Sequence, residues 1–113
     1  MSGMVNTKTD SLDDISIAVL AWADERRLIH PGNANKQILK VMEEVGELAG
    51  AMAKNNKKEI IDAIGDSLVT IIILAAQMNL SVKECLGVAY NEIANRTGKT
   101  VNGVFIKDEK KKL

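Results

Sequence analysis

Residues 37–78 read as two helices in succession, and their acidic residues constrain the fold more than anything else in the chain. The first carries Glu43-Glu44-Val45-Gly46-Glu47 and the second Asp62-Ala63-Ile64-Gly65-Asp66. At roughly 100° per residue, Glu43, Glu44 and Glu47 share an arc about 100° wide, and Asp62 and Asp66 stack one turn apart. Like charges this close repel by roughly a few tenths of a kcal/mol per pair, so each stripe needs either solvent or a cation. On the first helix Ile38, Val41, Met42, Val45, Leu48, Ala49 and Met52 form the apolar stripe. That pattern predicts that the apolar stripe meets the core and the glutamates face water. Gly50 and Ala51 lie on the acidic side as well, leaving room there for another helix or a ligand.

The second helix continues Ser67-Leu68-Val69-Thr70-Ile71-Ile72-Ile73-Leu74-Ala75-Ala76, a pattern expected of a helix buried all round. Asp62 and Asp66 fall on the same side as Val69 and Ile73, so two carboxylates head a stripe that is otherwise core. An ionised carboxylate buried without a partner is costly or protonates, and a cation resolves the conflict. With no histidine or thiolate in the cluster, oxygen ligands select Mg²⁺ or Mn²⁺ over zinc or copper. Because Mg²⁺ typically bridges protein carboxylates to substrate phosphates, the pattern points to phosphate-ester or anhydride chemistry. The structural alternative is an acidic face that is merely salt-bridged or solvated.

At 113 residues, one domain spanning 1–113 is expected, long enough for a core but short for a self-contained cleft. A second copy would supply the missing wall. Lys plus Arg total 15 and Asp plus Glu total 15, so no global field draws in nucleic acid or an anionic membrane. The single cysteine, Cys85, excludes an internal disulfide and sits at apolar helical spacing, as a core thiol does. Residues 1–10 lack the apolar run of a signal peptide and the apolar run at 68–76 is too short for a bilayer, so a cytoplasmic protein is expected. Hydrophobic content of 46% with 3% aromatic suits helix-on-helix packing.

Ser11 with Asp14 resembles a capping box, opening a helix through Ile15, Val19, Leu20, Trp22 and Ala23 that ends near Ile29. Trp22, the only tryptophan, either packs in the core or stacks on a base. His30, in a loop before Pro31, is a poor general base. Asn33 or Asn35 caps a second helix over about 36–53. The segment Lys54-Asn55-Asn56-Lys57-Lys58 breaks it, and its lysines, Lys54 among them, are either solvated or placed to neutralise a triphosphate tail. A third helix covers about 58–78 with Asn79-Leu80 as its exit. Ser81 and Glu84 open a fourth, through Val82, Cys85, Leu86, Val88, Ala89 and Ile93, stopping near Thr97-Gly98. The expected architecture is all-α, a four-helix antiparallel bundle. A short extended segment at 101–106 around Asn102-Gly103 follows it, with flexible ends at 1–10 and 107–113.

Lys40-Val41-Met42-Glu43-Glu44-Val45-Gly46-Glu47-Leu48, followed by Ile64-Gly65-Asp66-Ser67-Leu68-Val69, resembles the MazG-like family of all-α nucleoside triphosphate pyrophosphohydrolases, in its short phage or mobile-element form. That family carries E-E-x-x-E on one helix and E-x-x-D on the next, matched here by Glu43, Glu44, Glu47 and Asp66, with Ala63 in place of the second glutamate. The resemblance implies hydrolysis of a nucleoside triphosphate between its α and β phosphates, releasing a monophosphate and pyrophosphate. It implies Mg²⁺ held by Glu44, Glu47 and Asp66, with Asp62 as substitute ligand, and Glu43 orienting the attacking water as base. It also implies that Asn91 and Arg96 lend polar and basic groups to the nucleotide site, and that the enzyme is a homodimer or homotetramer.

Loss of the ligand at Ala63 feeds an alternative, a non-catalytic helical oligomer with a binding or regulatory role. A di-iron carboxylate bundle needs Glu-x-x-His pairs, which His30, outside every expected helix, does not supply.

Overall fold

A computed structural model describes residues 3–109. It is mostly helical, with four α-helices and a two-stranded sheet at the C-terminal end, and its residues fall into two compact units divided after Val82.

In the first unit α1, Leu12–Glu25, opens on the expected capping box: Ser11 Oγ accepts from the Asp14 amide at 3.0 Å and Asp14 accepts from the Ser11 amide at 3.1 Å. It ends four residues earlier than Ile29. Arg27 adopts a left-handed φ of 57°, and the amides of Arg27 and Leu28 donate back to Asp24 and Ala23, the pairing that closes a helix at a left-handed residue. A 3-10 turn, Pro31–Asn33, follows; the His30 ring accepts the Gly32 amide through Nδ1 at 3.0 Å, a structural task that fits its loop position.

α2, Ala34–Lys54, and α3, Lys57–Gln77, pack against each other, and α1 packs on α3. Asn55, at φ 53°, ends α2, and the Asn56 side chain caps α3 by accepting from the Glu59 amide at 3.2 Å. The Asn79 exit is as expected, with a left-handed φ of 58° and a Leu80 amide that donates to Ala75.

The packed face of α2 differs from the expected one. Gln37, Val41, Glu44, Leu48 and Ala51 lie within a narrow arc at heptad-like spacing, and Val41, Glu44 and Ala51 are buried. Ile38, Met42, Val45 and Met52, read as core, are exposed in the single chain. α3 is likewise not buried all round: Ala63, Ser67, Thr70, Ile72, Ile73 and Gln77 are buried, while Ile61, Ile64, Leu68 and Ile71 are exposed. The buried hydroxyls satisfy themselves on their own helix, Ser67 Oγ donating to the Ala63 carbonyl and Thr70 Oγ1 to the Ser67 carbonyl, both at 2.8 Å. Such small residues allow α2 and α3 to approach closely.

Helix α4, Val82–Ile93, leads into the second unit and stops short of Thr97. The expected single extended segment is a hairpin: β1, Gly98–Val101, pairs antiparallel with β2, Val104–Lys107. Asn102 and Gly103, at φ 50° and 80°, make the two-residue turn whose twist matches such a hairpin. The two ends read as flexible carry local hydrogen bonds. Residues 6–10 form a turn in which the Asn6 amide donates to Asp10 Oδ2 at 2.7 Å. Asp108 is held by Thr97, whose carbonyl accepts the Asp108 amide and whose hydroxyl donates to Asp108 Oδ2, both at 2.9 Å. Residues 1–2 and 110–113 of those ends lie outside the described residues. Cys85, read as a core thiol, is exposed. Among the described residues no helix is long and apolar enough to cross a membrane.

Candidate active site

The heptad-like face of α2 carries Glu44 against α3, while the neighbouring Glu43 and Glu47 remain exposed. A carboxylate oxygen from each of the three lies within 4.8 Å of the others. Glu44 is only 8% exposed; its Oε1 is 3.5 Å from Lys40 Nζ, and its buried Oε2 has no hydrogen-bond partner. Lys40 also meets Glu43 at 3.3 Å. The Glu43 hydrogen bond is the main reason that the Lys40 ammonium is held above its ordinary pKa. One lysine therefore serves two of three clustered carboxylates, and the repulsion left over appears on Glu47, whose pKa is raised chiefly by the charge of Glu44.

Across the cleft on α3, Asp66 is half-buried, and its pKa is raised first by burial and then by the charges of Asp62 and Glu44. Asp62, one turn before it, is exposed, a correction to its expected place in a core stripe. Position 63, where the resemblance puts a glutamate, holds a buried alanine.

Asp66 lies on the border of two cavities. One, of about 580 Å³, runs between α2 and α3; Lys40, Glu44 and Asp66 sit on its wall with Lys36, Gln37, Thr70 and Gln77, and Trp22, Leu28, Val69 and Ile73 supply the apolar part. Gln37 braces it by donating from Nε2 to the Thr70 carbonyl at 3.1 Å. The other, of about 320 Å³, is lined by Glu47, Lys54, Glu59, Asp62 and Asp66. Lys54 thus stands near the acidic cluster, in an exposed pair with Glu59 at 3.7 Å.

Trp22 is 42% exposed and therefore not a core residue. Its ring lines the larger cavity, and the Arg26 guanidinium stands 4.2 Å from the ring centroid. Asn91 and Arg96 belong to the second unit, where Asn91 is exposed and Arg96 pairs with Glu92 at 3.8 Å. Sequence reasoning passed over Lys40, Gln37 and Gln77. The signal for the first was its i,i+4 spacing to Glu44; for Gln77 it was a position eleven residues after Asp66, three helical turns on.

The donor set fits a hard divalent cation. It is built of carboxylate oxygens alone, one of them buried without a partner in a cluster carrying more negative charge than Lys40 offsets, and oxygen-only sites of this sort suit Mg²⁺ or Mn²⁺.

A family model described as phosphoribosyl-ATP pyrophosphohydrolase matches residues 24–91, a segment that includes the whole carboxylate cluster and Asp66. An uncharacterized 18.2 kDa protein from the rep-hol intergenic region of Haemophilus phage HP1 is 44% identical over 59 residues, 52% of this chain and 36% of the phage protein. The chain thus spans about a third of that relative. No solved structure matches.

Proposed function

The chain belongs to the phosphoribosyl-ATP pyrophosphohydrolase family, and from that premise we propose that it is a metal-dependent nucleotide pyrophosphohydrolase that cleaves nucleoside triphosphates to monophosphate and pyrophosphate. The observation that carries the proposal is Glu44: a buried carboxylate with an unpartnered oxygen, within 4.8 Å of two further glutamates, at the wall of a cavity of about 580 Å³. Pockets of this size suit a small organic ligand.

Glu44, Glu47 and Asp66 would hold the cation, with Asp62 supporting Asp66. A divalent cation held there, Mg²⁺ or Mn²⁺, would supply charge neutralisation for phosphate oxygens and a more acidic water. Lys40, already on the cavity wall beside Glu44, attracts the anionic phosphates, and Lys54 meets the tail from the smaller cavity. Glu43 takes the proton as water attacks the α-phosphorus and the bond to the bridging oxygen breaks, with pyrophosphate leaving. Trp22 stacks on the base. Asn91 and Arg96 are proposed as further nucleotide contacts. The working form is a homodimer or homotetramer.

Product analysis on canonical and modified nucleoside triphosphates and phosphoribosyl-ATP, with Mg²⁺ or Mn²⁺ and an EDTA control, tests the reading. Metal-dependent release of pyrophosphate, not orthophosphate, is expected. No turnover on any of them by folded protein would favour a non-catalytic helical oligomer.

A further inference from the structure

The cavity between α2 and α3 has two chemically different ends. Asp66, Thr70, Ile73 and Gln77 follow one another along its α3 wall, and the rise from Asp66 to Gln77 is about 16 Å at 1.5 Å per residue. Glu44, Lys40 and Gln37 run in the opposite sense on α2. One end therefore carries the carboxylates with Lys40 and the other the amide of Gln77, while Asn33, Lys36 and Gln37 complete the α2 side and the apolar Trp22, Leu28 and Ile73 lie on the walls.

Gln77 dominates the amide end. It is 3% exposed, and its Nε2 donates to the Leu28 carbonyl at 2.9 Å. That carbonyl also accepts from Asn33 Nδ2 at 3.3 Å. A carbonyl only accepts, so Leu28 fixes which end of the amide faces it and turns Oε1 away. Oε1 is buried and has no partner. A buried acceptor without a donor is a standing cost, relieved by any ligand that brings an N–H to it.

We infer that Gln77 is the specificity-determining residue of the base end: its Oε1 accepts a hydrogen bond from an N–H on the nucleobase while the phosphates lie at the Glu44 and Asp66 end. The inference rests on the nucleotide reading of the cavity. It narrows the substrate class to triphosphates whose base carries a ring N–H or amino group where Gln77 meets it. A site built around a buried hydrogen-bonding group rejects ligands that leave that group unpaired far better than an apolar pocket rejects an extra methyl.

Trp22 is the only tryptophan and lines the cavity, so its fluorescence reports occupancy without any turnover. The full chain is titrated with the common nucleosides and nucleoside monophosphates, and with derivatives N-methylated at the base donor. The same titrations are made on Gln77→Met, and kcat/KM is measured for the triphosphates. The wild-type protein is expected to prefer one base, to bind its N-methylated form at least about tenfold more weakly, and to lose that difference in Gln77→Met. Loss of the base ranking with an unchanged Mg²⁺ requirement supports the assignment. Equal binding of parent and methylated nucleosides by the wild type, a base ranking that survives in Gln77→Met, or no quenching by any nucleoside overturns it. Should Gln77→Met not fold, the methylated series on the wild type decides. Base-selective quenching without pyrophosphate release would defeat the hydrolase reading alone; release of pyrophosphate with a base-blind kcat/KM would defeat this inference alone.

Discussion

Glu44 is the residue around which the site's electrostatics turn. Lys40 offsets one of its oxygens at 3.5 Å, the other is buried without a partner, and its negative charge raises the pKa of both Glu47 and Asp66. If the proposed ligand set holds a catalytic cation, removing one of its members withdraws several kcal/mol of transition-state charge stabilisation. Glu47→Ala and Asp66→Ala are accordingly expected to lower kcat for pyrophosphate release by at least about a hundredfold while circular dichroism stays helical. Activity persisting in both would sink the ligand assignment. The same repulsion has a pH signature. Carboxyls whose folded pKa is raised above the unfolded value disfavour folding once ionised, so their penalty is fully present at neutral pH and is relieved as pH falls through the raised folded values. In the absence of metal, the Tm is expected to rise from pH 7 toward pH 5 by more in the wild type than in Glu47→Gln. Mg²⁺ should raise the Tm more at pH 7 than at pH 5, because protons compete for the same oxygens. Identical pH profiles for wild type and Glu47→Gln would show that Glu47 carries no such repulsion. The glutamate trio was legible in the sequence from its spacing alone. The unpartnered oxygen of Glu44 was not, since it depends on how α2 is rotated against α3.

At the scale of elements, the signals that act through backbone hydrogen bonds were readable. Ser11 and Asp14 cap α1 reciprocally, and replacing Ser11 with alanine is expected to cost about 1 kcal/mol, visible as a lower midpoint in urea unfolding; an unchanged midpoint would mean that the cap is not limiting. Asn102-Gly103 is the strongest short hairpin signal a sequence offers, yet the segment before it, beginning at Gly98, reads as a helix exit rather than a strand. Only the pairing of Gly98 with Lys107 makes it one. Gly103, at φ 80°, tolerates a Cβ poorly, so Gly103→Ala should speed amide exchange across residues 98–107 without moving that of α2 and α3. The face of α2 was misread for an instructive reason. Amphipathicity identifies the apolar side of a helix, but the side that packs on α3 here includes Gln37 and Glu44, because the candidate site lies between those two helices.

For the whole molecule, that misreading leaves a large apolar surface to be explained. Ile38, Met42, Val45 and Met52 on α2, with Ile61, Ile64, Leu68 and Ile71 on α3, are all more than a third exposed in the single chain. Exposed apolar rows of this kind are common at interaction faces, and we propose a second copy of the same chain as the occupant. The sequence supplies the reason: both helices carry apolar residues well beyond the arcs used for packing on each other, while net charge is zero and offers no repulsion between copies. In a two-fold interface each substitution is made twice, and a buried charge without a partner is costly. Met42→Asp and Leu68→Glu are each expected to weaken self-association at least about tenfold, or about 1.4 kcal/mol, and to remove the concentration dependence of Tm that an oligomer confers. Sedimentation velocity over a micromolar series reads this directly. A wild-type chain that sediments at its monomer mass of 12.3 kDa throughout would overturn the oligomer, whereas loss of assembly together with loss of pyrophosphate release in Met42→Asp, a residue outside the carboxylate cluster, would tie catalysis to the partner copy.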